Sequence, residues 1–181
     1  GYIDSVDTKL NDWPLIQNSL YYDQKLIDLL NMAAGDQKYS KKRLTKGGKW
    51  SKNPNRNTVR FHMEKGIFKN TKGKAKKSKY NYSNIVSNIL INYASFKSGE
   101  NFQNLLDKIF ISKAKIENQT YFKVMHTNSV QGKYNVDEKN DGAIRYSFKA
   151  SRFDYLRIAK AMLDDWQNDT CVGKYLKTIF D

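Results

Sequence analysis

A chain of 181 residues that is 39% hydrophobic and 13% aromatic can bury a core, which excludes wholesale disorder. Its formal net charge of +14 sits in one place: residues 38–79 hold 16 Lys and Arg against Glu64 alone, whereas the rest of the chain holds 16 basic and 17 acidic residues. No run nears the roughly 18 apolar residues of a membrane span, and no basic stretch leads into an apolar one at the N-terminus, so neither a span nor a secretory leader is expected.

Residues 1–13 read as a polar lead-in. Pro14 suits the first turn of a helix with Asp12 as its N-cap, and apolar residues from Leu15 to Ala34 become helically spaced before Gly35 stops them. Lys, Gly, Ser and Asn dominate 36–57, with Gly47-Gly48 and Asn53-Pro54 as turns. From Thr58, Val59, Phe61 and Met63 alternate with Arg60, His62 and Glu64, which predicts a strand with one wet face. A second lysine-rich loop covers 69–79. Ile85, Val86, Ile89, Leu90, Tyr93 and Ala94, then Phe102, Leu105, Leu106, Ile109 and Phe110, predict two amphipathic helices joined by a turn at Ser98-Gly99. Strands are expected near 119–126 and 143–149 around a polar loop. A helix follows over 152–167, its apolar stripe being Phe153, Leu156, Ala159, Met162, Leu163 and Trp166, and then a short strand over 172–180.

These elements predict an α+β fold: a single domain over 1–181 with a basic insertion at about 36–79, a helix-turn-helix-like pair and a small antiparallel sheet. The order helix, strand, helix, helix, strand, strand from 14 to 149 resembles that of a winged helix. That resemblance implies a reading helix at 100–112 and a wing at 127–142. Asn101, Asn104 and Lys108 are the candidates for base contacts, since Asn can pair with adenine edges through two hydrogen bonds.

The charge distribution carries the functional expectation, which is binding to nucleic acid, DNA ahead of RNA. Lys38, Lys41, Lys42, Arg43, Lys46, Lys49 and Lys52 form one cluster and Lys69, Lys72, Lys74, Lys76, Lys77 and Lys79 another, with Arg56, Arg60 and Lys65 between them. Lysine is a flexible point charge, suited to tracking phosphates rather than to reading bases. Tyr39, Trp50 and Tyr80 lie among these charges, where they can stack on unpaired bases. No basic amphipathic helix accompanies them, so a membrane partner is not expected.

The alternative is an endonuclease. Glu100, Asp137 and Lys149, followed by a helix, resemble the order of the PD-(D/E)XK nuclease core, which implies Mg²⁺. Ser147 stands where that family has its second acidic ligand. Alternatively, His62 and His126 supply a general base and acid for metal-independent RNA cleavage. A binding protein needs no cofactor. There is no glycine-rich phosphate loop, nucleophile elbow or zincin histidine pair. Cys171 is the single cysteine and excludes an internal disulfide, pointing to a buried or incidental thiol in a reducing, intracellular setting, cytoplasmic or nucleoid-associated. The richness in Asn, Lys, Tyr and Ile suits an AT-rich genome such as that of a mobile element.

Overall fold

A computed structural model describes residues 2–34, 59–66, 80, 82–100, 102–118, 121–124 and 146–180. The chain divides into two compact units, Gly1–Phe102 with Val124–Tyr146 and Gln103–Lys123 with Ser147–Asp181.

In the first unit, the expected helix over 14–34 is replaced by turns. Pro14–Ile16 forms one turn of 3-10 helix, and only Leu26–Leu30 (α1) is α-helical. Between them Ser19 Oγ accepts the Tyr21 N–H at 3.2 Å. Such a local side-chain bond competes with the helical ladder. The chain then doubles back, so that Leu26 N–H reaches Thr8 O at 2.9 Å and Ile27 N–H reaches Val6 O at 2.8 Å. Asp12 caps nothing; it accepts from Tyr93 Oη at 2.9 Å and pairs with Lys97 Nζ at 2.7 Å.

Val59–Glu64 is a helix (α2), not the expected strand. Six alternating residues fit either state, and here packing decides: Val59, Phe61 and His62 are buried where α2 meets the 3-10 turn and the helix Asn84–Ser98 (α3). α3 ends as glycine dictates, with Gly99 at φ 67° and its N–H on Ser95 O at 2.9 Å. Its Val86, Ile89 and Tyr93 join Leu10, Trp13, Ile16, Tyr21, Leu29 and Val59 in the core. Each fully buried apolar side chain of this size contributes about 1.5–3 kcal/mol. The Trp13 ring stacks on Phe96 with centroids 6.0 Å apart.

The second unit contains the helix Phe102–Ser112 (α4) from Gln103 onward, and the helices Arg152–Gln167 (α5) and Cys171–Phe180 (α6), so the strand expected over 172–180 is also a helix. Tyr121–Val124 (β1) and Tyr146–Lys149 (β2) pair as a two-stranded ribbon. Two strands of four residues give helices no layer to pack on. The described residues are therefore mostly helical, and the expected α+β fold with a small antiparallel sheet is not the one adopted. The winged arrangement goes with it: α2 stands in place of its first strand, and α3 and α4 belong to different units.

α5 and α6 pack as a hairpin. Ser151 caps α5, its Oγ accepting Asp154 N–H at 3.1 Å and donating to the Asp154 carboxylate at 2.7 Å. Thr170 caps α6 by accepting Gly173 N–H at 3.2 Å. The expected inward stripe of α5 faces outward instead: Phe153, Leu156, Met162 and Leu163 are exposed, while Asp154 and Asp165 are buried. Among the described residues, no helix is long and apolar enough to cross a membrane.

Candidate nucleic-acid interface

Residues 59–66, the helix α2 and the two residues after it, are the part of the basic segment that lies among the described residues. Lys38, Lys41, Lys42, Arg43, Lys46, Lys49, Lys52 and Arg56 fall outside them, as do Lys69, Lys72, Lys74, Lys76, Lys77 and Lys79. On α2 the Arg60 guanidinium stands 3.7 Å from Glu64 Oε1 one turn on, with both side chains about half exposed. An ion pair this loose and wet is worth less than about 1 kcal/mol. Lys65 follows, exposed, and Tyr80 beyond the second lysine cluster is 73% exposed.

His62 lies in a setting other than the expected one. Because 59–64 is helical, His62 is on no wet strand face; it is 2% exposed, with its ring edge-on to Phe61. It contributes to a cleft of about 560 Å³ that Pro14, Asn18, Ser19 and Glu64 also line. A general base must reach its proton, and a buried imidazole reaches only what enters that cleft. His126 and Asp137 lie outside the described residues.

Glu100, in the first unit, accepts a hydrogen bond from Tyr2 Oη at 2.8 Å, and Lys149, exposed at the end of β2, belongs to the second. Among the described residues, no three His, Cys, Asp or Glu side chains are grouped to hold a metal ion. Asn104 and Lys108 are exposed on α4, and Asn101 lies outside the described residues. Cys171 is exposed rather than buried.

The sequence reading missed a pair of buried carboxylates. The Asp154 carboxylate accepts from Ser151 Oγ, from Glu117 N–H at 3.0 Å and Asn118 N–H at 3.3 Å, and from Arg157 at 3.0 Å. The Ser151 bond leads in holding this carboxyl far below the usual carboxylate range; burial opposes it, and the Glu117 backbone donor, the Asn118 side chain and Arg157 add to the lowering. Asp165 is lowered by Lys113 first, at 2.6 Å, and by Thr170 Oγ1, also at 2.6 Å. Ser151 and Asp154, three apart before an apolar run, are the sequence signal that marks the first of these. Both carboxylates are answered by donors from their own unit. They fasten residues 113–118 to α5; they are latches, not acid–base groups.

No protein-family model, curated protein or solved structure matches the chain.

Proposed function

We propose that this protein binds nucleic acid, DNA in preference to RNA, by capturing the phosphate backbone through the lysine-rich segment 38–79. One observation carries the reading: the whole cationic excess of a +14 chain falls within that segment, while the remainder is nearly neutral. Charge selected for solubility would be spread over the surface. The capture is sequence-independent, because lysine ammonium groups follow phosphates without reading bases. Tyr80 adds an exposed aromatic face beside the second cluster, suited to stacking on an unpaired base.

Fluorescence anisotropy with duplex and single-stranded oligonucleotides tests this. With six to ten phosphate contacts, affinity falls about 10³–10⁵-fold between about 50 and 200 mM salt. Replacing Lys41, Lys42 and Arg43 together by Ala lowers affinity uniformly across sequences. It also flattens the log–log salt slope by roughly 0.9 for each phosphate that is no longer neutralised. Tyr80→Ala weakens single-strand binding by about 1–3 kcal/mol and leaves duplex binding unchanged. A salt-independent affinity, or none in dilute buffer, overturns the proposal.

A further inference from the structure

The cleft beside His62 occupies a particular place in the charge pattern of the chain. One wall comes from the 3-10 turn and the residues after it, through Pro14, Asn18 and Ser19; the other comes from α2, through His62, Met63 and Glu64. Arg56 precedes Val59 by three residues and Lys69 follows Gly66 by three, and three peptide links span at most about 11 Å. Both lysine clusters are thus tethered close to the α2 wall. The volume of about 560 Å³ lies within the roughly 300–1,000 Å³ of small-ligand sites.

Glu64 is the single acidic residue of segment 38–79, and it lines this cleft. A carboxylate repels phosphate, so it serves no purpose in tracking a backbone. It only accepts hydrogen bonds, and its two oxygens suit a pair of N–H donors. The Arg60 guanidinium stands 3.7 Å away, beyond hydrogen-bonding length, and the Glu64 side chain is half exposed, so these oxygens can turn to a ligand.

We infer that the cleft takes one unpaired guanine of a single strand whose phosphates the lysine clusters hold; this rests on the nucleic-acid reading above. Guanine carries two adjacent donors on its pairing edge, N1–H and the 2-amino group, which match the two Glu64 oxygens. Adenine and cytosine offer one amino group beside a ring nitrogen that accepts. The N3–H of thymine is flanked by two carbonyls, which a carboxylate repels. Pro14 and Met63 supply apolar contact for the faces of the base, and the exposed Asn18 amide supplies a donor for guanine O6. In a duplex that edge is already paired, so the cleft acts on single strands. It adds a base preference to a capture that is otherwise indifferent to sequence.

Fluorescence anisotropy of the full chain with dT strands carrying one central guanine or none tests the inference. The guanine strand is expected to bind at least about fivefold tighter, the low end for a two-bond base contact. Inosine in the same place lacks the 2-amino group and loses most of that gain. Glu64→Gln removes one of the two acceptors and brings the ratio of the two affinities to about one. Losing the negative charge shifts both affinities together, so the ratio reports the base contact alone. Asn18→Ala, at an exposed position that folding tolerates, also lowers the ratio. Equal affinities for the two strands overturn the inference. So does a preference that survives Glu64→Gln, or tighter binding when adenine or cytosine replaces the guanine. In each of these cases a steep salt dependence leaves the phosphate reading standing, whereas no binding to any strand defeats both.

Discussion

Gly173 sits where α6 leaves Thr170 and passes close against the end of α5. A Cβ there would fall 1.9 Å from the Asp165 carbonyl oxygen and 3.0 Å from Trp166 Cα, both backbone atoms that cannot rotate away. The helices must part or the Thr170 cap must open. Gly99 is the natural control: its φ of +67° disfavours a side chain, yet nothing lies within 4 Å of an added Cβ. Gly99→Ala therefore carries only the left-handed backbone penalty, about 1–2 kcal/mol. Gly173→Ala adds overpacking against backbone and is expected to cost more, upwards of about 1–3 kcal/mol from that source. Urea unfolding followed by circular dichroism separates the two. Equal losses would mean that the α5–α6 contact yields easily.

At the scale of elements, the start of α5 depends on its cap. Ser151 bonds the Asp154 N–H and its carboxylate together, so Ser151→Ala removes both bonds and is expected to lower stability by about 1 kcal/mol, whereas Ser151→Thr retains the cap and most of the stability. A neutral Ser151→Ala in thermal melts would show that the cap is redundant with the bonds from Glu117 and Asn118. Helices α3, α4 and α5 are legible in the sequence because their apolar spacing runs for three or more turns. α2 is not, because six residues of alternation suit a strand or a short helix equally and burial against α3 makes the choice. The first 34 residues mislead for a different reason: Ser19 and Pro14 give the backbone local alternatives to a helix. For α5 the element is legible but its orientation is not. Its apolar stripe reads as interior, yet donors from 113–118 and Thr170 draw Asp154 and Asp165 inward, and those contacts span up to 52 residues. The candidate site divides similarly. Clustered charge is visible in composition alone, whereas grouping Glu100, Asp137 and Lys149, or His62 and His126, depends on tertiary placement that no spacing encodes.

At the scale of the molecule, both units rest on carboxylates held ionised. Burial pushes Asp12 up, but bonds from Lys97 and Tyr93 and the Lys97 charge outweigh it and leave its carboxyl below the usual range. Asp154 and Asp165 are lowered in the second unit. A carboxyl whose folded pKa lies below its ordinary 3.8 binds more protons when unfolded, so its contribution to stability is fully present above that value and is lost as pH falls toward the folded one. The melting temperature is accordingly expected to be flat from about pH 7 to about pH 5 and to drop steeply below about pH 4. Protonation also removes negative charge from a chain already at +14, and self-repulsion adds to the loss. Salt distinguishes the two effects, because it screens diffuse repulsion more than it screens the buried Asp154 bonds. Asp154→Asn should lower the melting temperature at pH 7 and make the acid drop shallower, at low and high salt alike. If added salt abolished the drop in the wild-type protein, repulsion alone would explain it, and the carboxylate latches would have no part in acid stability.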